Sequence, residues 1–230
     1  MLQTFEPTHQ PPLLYTSTSS SAVAPTQETR NINTMAVASH HNILIVTGPA
    51  GSGKSTVAME LAKKYGFKYI EGDDFHPQAN IDKMAHGIPL TDADRWDWLI
   101  LLRDQAVTAC RQGAKGAVVT CSALKKKYRD VIRTARFYDD DPNASVHFIY
   151  LHANMETLLA RVKARQGHYM KDDMVISQLK ALEKPDADEI ERIRDVITID
   201  VSCSMQEVIK RASNAVDEVL AEDAATSQGS

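Results

Sequence analysis

Short, largely apolar and β-branched runs recur along the chain, separated by longer stretches of mixed polarity. His41-Asn-Ile-Leu-Ile-Val-Thr47, Val146-His-Phe-Ile-Tyr-Leu151 and Val196-Ile-Thr-Ile-Asp200 are clear examples. The pattern predicts strands over 42–47, 67–71, 116–121, 145–151 and 195–200. It predicts helices over 54–65, 92–112, 125–135, 154–166, 172–183 and 204–220. Strand and helix alternate, which implies an α/β fold with a five-stranded parallel sheet sandwiched by helices.

Residues 1–39 fall outside this pattern. Pro11-Pro12 and Thr16-Ser-Thr-Ser-Ser-Ser21 offer little to bury, so a disordered tail is expected there. The segment lacks the charged start and apolar stretch of a secretory signal. Glu6 ahead of the lone Arg30 argues against a mitochondrial presequence. Met35 could serve as an internal start. The folded domain is expected over 40–220, and the small polar residues 221–230 are expected to fray.

Composition narrows the picture. At about 100–200 residues per domain, a chain of 230 residues holds one domain and its tails. A hydrophobic share of 43% is enough for a full core, and a net charge of −4 gives no basic field for nucleic acid. No apolar run reaches the roughly 20 residues of a membrane span. Cys110, Cys121 and Cys203 lack metal-ligand spacing, and an odd count fits a reducing compartment, hence the cytoplasm.

Candidate chemistry centres on Gly48-Pro49-Ala50-Gly51-Ser52-Gly53-Lys54-Ser55, which has the G-x-x-x-x-G-K-S spacing of a phosphate-binding loop between a strand and a helix. Its glycines free the backbone, so that consecutive N–H groups through Thr56 can cradle ATP phosphates at the positive end of a helix. Lys54 adds a mobile charge, and the Ser55 hydroxyl can ligate Mg²⁺. After the second strand comes Glu71-Gly72-Asp73-Asp74. In parallel sheets ligands sit beyond such carboxyl ends. These acids either manage Mg²⁺ and an acceptor hydroxyl, or form a solvated turn with a capping aspartate. The third strand ends Val118-Val-Thr-Cys-Ser-Ala123 without the acid that many phosphate-loop proteins keep for the metal, which gives Glu71 and Asp73 more to do.

Between His76 and Trp96, donors on His76, Asn80, Lys83 and Arg95 would suit a polyhydroxy anion. The plainer alternative has Asp92 capping a helix, Arg95 paired with an acid, and Trp96 and Trp98 packed. Lys125 and Arg129, four apart, would share a helix face near the sheet edge, either to meet a carboxylate or as a solvated helix start. Cys121 reads as a packed strand end. Arg161 and Arg165 precede Gly167-His168. They suit a lid that closes over phosphates, or a surface helix with a glycine cap.

Taken together, these stretches resemble the gluconokinase family, small phosphate-loop kinases with a nucleoside-monophosphate-kinase-like fold and a lid. The resemblance covers nearly the whole domain in order. It is most specific in Asn80-Ile-Asp-Lys83-Met84, Cys121-Ser-Ala-Leu-Lys-Lys-Lys-Tyr-Arg129-Asp130 and Ser177-Gln-Leu-Lys-Ala-Leu-Glu183. It implies transfer of the ATP γ-phosphoryl group to the 6-hydroxyl of D-gluconate. Asp73 would receive or orient that hydroxyl, with Glu71 near Mg²⁺ and Arg161 and Arg165 over the phosphates. His76, Lys83, Arg95, Lys125 and Arg129 would contact gluconate, and a homodimer would fit. The chain departs from the family at Glu71, where Asp is common, and at Trp96-Asp97-Trp98, where a Pro-Trp pair is usual. Asp139-Asp-Asp-Pro142 reads as a loop insertion. A kinase of shikimate or of a nucleotide, and a nucleotide-sensing module, remain the alternatives.

Overall fold

The computed structural model describes residues 40–135, 141, 144–164 and 172–227. Five strands form one parallel sheet: β1 (His41–Thr47), β2 (Lys68–Ile70), β3 (Gly116–Thr120), β4 (Ala144–His152) and β5 (Val196–Asp200), in the order β2-β3-β1-β4-β5. Side chains of a strand point alternately to opposite faces, and β1 is apolar on both. Ile43 and Ile45 pack with α3 (Asp92–Arg111) and α4 (Lys126–Arg133) through Leu99, Leu102 and Ile132. Leu44 and Val46 pack with α1 (Lys54–Tyr65), α5 (Met155–Ala164) and α7 (Met205–Ser227) through Leu61, Leu158 and Val216. The remaining helices are α2 (Gln78–Ala85) and α6 (Asp172–Ala181). Single turns of 3₁₀ and π helix stand at Gly72–Phe75 and Asp188–Ile193.

All five expected strands are present, and the expected helices match to within a few residues except at the carboxyl end; α2 was not expected. There α7 runs on through Ser227, past the point where fraying was expected. Asp223 fastens this stretch: its carboxylate accepts from His147 Nε2 of β4 at 2.8 Å and lies 3.4 Å from Nε2 of His40, the residue before β1. The expected tail over 1–39, most of the insertion and Arg165, Gly167 and His168 lie outside the described residues. No described helix is long and apolar enough to cross a membrane.

Helix α3 begins one residue earlier than an Asp92 cap would have it. Thr91 is the cap, in a reciprocal box with Asp94.

Candidate active site

The phosphate loop leaves the central strand β1 and enters α1 with Gly48, Gly51 and Gly53 at φ 142°, 81° and 97°. At Gly51 a Cβ would lie 2.9 Å from Leu158 O and from Val162 Cγ2, so a side chain there would push α5 away from the loop. Ser122 O accepts from Thr47 Oγ1 at 2.6 Å and from Gly48 N at 3.4 Å, bracing the loop against the end of β3. Lys54 Nζ rests 3.2 Å from Pro49 O.

Parallel register decides what stands beside the loop. Ile70 pairs with Val119, which brings Glu71 next to Thr120. The Thr120 hydroxyl accepts from Gly72 N at 2.9 Å and donates to Glu71 Oε1, while Tyr69 donates to Glu71 Oε2. Partial burial works against the Glu71 charge. Hydrogen bonds from Thr120, Tyr69 and Ser55 and the charge of Lys54 outweigh it, so its carboxyl titrates below the usual range. The strand end that lacks an acid thus supplies a hydroxyl instead, and the acid comes from the neighbouring strand. A polar Thr120 closing an apolar run was the available signal.

Gly72 must be glycine. Its N–H meets Thr120, its carbonyl accepts from Trp98 Nε1 at 2.8 Å, and a Cβ would lie 2.0 Å from Thr120 O. Asp73 follows on the exposed side of the turn, 81% accessible, with Oδ1 3.9 Å from His76 Nε2. His76 is buried flat against Trp98, with ring centroids 4.2 Å apart. Burial lowers its pKa and Arg95 adds to this, against the pull of Asp73, so its ring is neutral near pH 7. Asn80 is buried, donating to Asp94 O at 2.7 Å.

The cations expected to meet an anionic sugar are already engaged. Lys83 pairs with Asp94 at 2.6 Å, which holds that carboxyl down at about 2. Lys125 pairs with Asp92 at 2.8 Å, and Lys127 and Tyr128 also reach Asp92, so this carboxyl lies well below its ordinary value. Arg95 donates to the carbonyls of Leu90 and Thr91 and lies over the Tyr128 ring, rather than meeting an acid.

Two expected roles need correction. Arg129 does not share a surface with Lys125: Lys125 stands at the cap of α4, and Arg129 turns into the core at 2% side-chain exposure. It donates from Nε and Nη2 to Glu189 at 2.7 and 2.6 Å and from Nη1 to the carbonyls of Ala123 and Glu183, so a solute cannot reach it. Arg161 is not held free above the cradle. Its guanidinium donates to Val201 O at 2.5 Å, Cys203 O at 3.0 Å and Ser52 O at 3.5 Å, tying the loop after β5 to the phosphate loop. Cys121 is buried as expected, its thiol pushed up to about 12 by burial.

Comparison with known proteins gives the family. An AAA domain family model matches residues 43–185. A protein named as a probable gluconokinase from Schizosaccharomyces pombe is 46% identical over 182 residues, covering 79% of this chain and 91% of that one. The thermosensitive gluconokinase of Escherichia coli K12 is 40% identical over 172 residues, covering 75% and 86%. The chain belongs to the gluconokinase family. A crystal structure of a gluconokinase from Sinorhizobium meliloti 1021 shares its fold, with a TM-score of 0.65 at 34% identity, covering 78% of this chain and 94% of that one.

The cradle fits MgATP. Among the described residues no group of three or more His, Cys, Asp or Glu side chains could enclose a metal. One ionised carboxylate and one hydroxyl suit Mg²⁺, which keeps waters and takes phosphate oxygens as ligands.

Proposed function

We propose that this protein phosphorylates D-gluconate on its 6-hydroxyl with ATP, giving 6-phospho-D-gluconate and ADP, a product for pentose phosphate metabolism. The observation that carries the reading is an exposed carboxylate, Asp73, on a turn pinned to the strand end beside the phosphate loop, in a chain of this family. The amides of residues 48–56 hold the ATP phosphates, with Lys54 on the terminal pair. Ser55 and Glu71 would hold Mg²⁺, which when bound would supply neutralising charge on the phosphates. Asp73 orients the sugar hydroxyl and takes its proton as the oxygen attacks phosphorus and the bond to the ADP oxygen breaks. His76, beside Asp73, contacts the gluconate hydroxyls. Lys83, Arg95 and Lys125 receive the gluconate hydroxyls and carboxylate. Arg165 brings lid charge to the phosphates. A cytoplasmic setting and a homodimer belong to the same reading.

The test is an assay coupling ADP release to gluconate, shikimate and AMP in turn. Gluconate-dependent turnover is expected. Turnover with shikimate or AMP alone rejects the acceptor, and ATP binding without acceptor-dependent turnover points to a sensing module.

A further inference from the structure

The Pro49–Ala50 peptide at the start of the phosphate loop is gripped at both ends. Its carbonyl accepts from Lys54 Nζ at 3.2 Å, and its N–H donates to Gln178 Oε1 at 2.7 Å. A trans peptide is a rigid plane with C=O and N–H pointing opposite ways, so the two side chains hold opposite edges of one unit. The proline ring locks φ of Pro49. What freedom remains is rotation of the plane about ψ of Pro49 and φ of Ala50. Two hydrogen bonds, one from a cation, oppose that rotation and polarise each other through the peptide.

Gln178 lies in the middle of α6, and α6 is fastened beyond its end as well. Glu183 N donates to Leu124 O at 2.8 Å, and the Glu183 carboxylate accepts from Lys126 N at 2.9 Å, capping α4 from outside. Helix α6 therefore touches the phosphate loop through Gln178, and the residues just past its end hold the β3–α4 loop through Glu183.

We infer that Gln178 is a positioning residue for phosphoryl transfer: it holds the Pro49–Ala50 plane so that Lys54 is seated before the terminal phosphoryl group arrives. The inference rests on the kinase reading above for the acceptor, and on the phosphate loop alone for the nucleotide. Without the Gln178 oxygen the plane can turn, bringing a carbonyl toward an anionic ligand and unseating Lys54. ADP is held chiefly by the amides that open α1, so the loss falls on the terminal phosphoryl group.

The test is calorimetric titration of the full chain with a non-hydrolysable ATP analogue and with ADP, beside steady-state rates. Gln178→Met is expected to weaken the ATP analogue about tenfold and ADP about twofold or less. It should lower kcat roughly a hundredfold while the gluconate KM stays put. Equal weakening of both nucleotides, no change in either, or a loss confined to the gluconate KM overturns the proposal. If the methionine variant does not fold, Gln178→Asn withdraws the same oxygen by one methylene and should show the same split. Wild-type behaviour of that variant also overturns it. If the unaltered protein binds ATP but phosphorylates no gluconate, the acceptor assignment fails while the two nucleotide titrations still judge Gln178.

Discussion

The phosphate loop and the proposed acceptor side are held by opposite means. On the nucleotide side the backbone is set in advance, with glycines at positive φ and a loop braced by Ser122 O. On the proposed acceptor side the candidate recognition groups are side chains with partners of their own: Lys83 with Asp94, and Lys125 with Asp92. The first arrangement binds phosphate by presenting amides already aimed. The second binds by exchange, because a carboxylate entering beside Lys125 must compete with Asp92 for the ammonium. Selectivity among anions can therefore be tuned at the acceptor side without disturbing the phosphate grip.

The contrast can be broken most severely at Lys54. Lys54→Met is expected to cut turnover about a thousandfold or more with the melting temperature retained, checked by steady-state rates and calorimetry. Asp73→Asn should lower kcat roughly a hundredfold with ATP affinity nearly intact. Matching losses in both would make Asp73 part of the scaffold.

Lys125→Met and Arg129→Met sharpen the comparison as a pair. The first should raise the gluconate KM about tenfold with little change in melting temperature. The second should leave that KM alone in whatever protein folds, while destabilising it by about 3–5 kcal/mol, because Glu189 stays buried without its main partner. Denaturant unfolding beside a substrate titration separates the two.

The smallest effect belongs to His76. Its folded pKa is lowered from the ordinary value of 6.5, so the unfolded chain binds its proton first as pH falls. Stability from this residue is complete above about pH 6.5 and declines below it. His76→Gln should flatten the fall in melting temperature between about pH 7 and pH 5. An unchanged slope would mean that another group titrates there.

The strands were legible because a fully buried parallel strand is a short apolar run, and the phosphate loop because its spacing is set by the ligand it wraps. Side-chain fate was less legible. The four-residue spacing of Lys125 and Arg129 suggested one helix face, yet the cap at Lys125 is not yet helical and the helix turns Arg129 inward toward Glu189. That acid is 60 residues away along the chain, and no local pattern announces it. Thr120 as the partner of Glu71 follows from strand register, which a single sequence does not state. Gln178 against Ala50 requires tertiary placement of a helix 128 residues downstream. The close approach at Gly72 has a trace in the sequence, a glycine set between two acids at a strand end.

That bare α-carbon has a mechanical consequence. With only hydrogens between its own chain and the neighbouring strand, the turn that carries Asp73 has no cushion. A displacement of β3 by a few tenths of an ångström would be delivered undamped to Asp73, the acid proposed to meet the acceptor hydroxyl. The same rod abuts the nucleotide loop through Ser122, so one strand end keeps the distance between the two halves of the reaction.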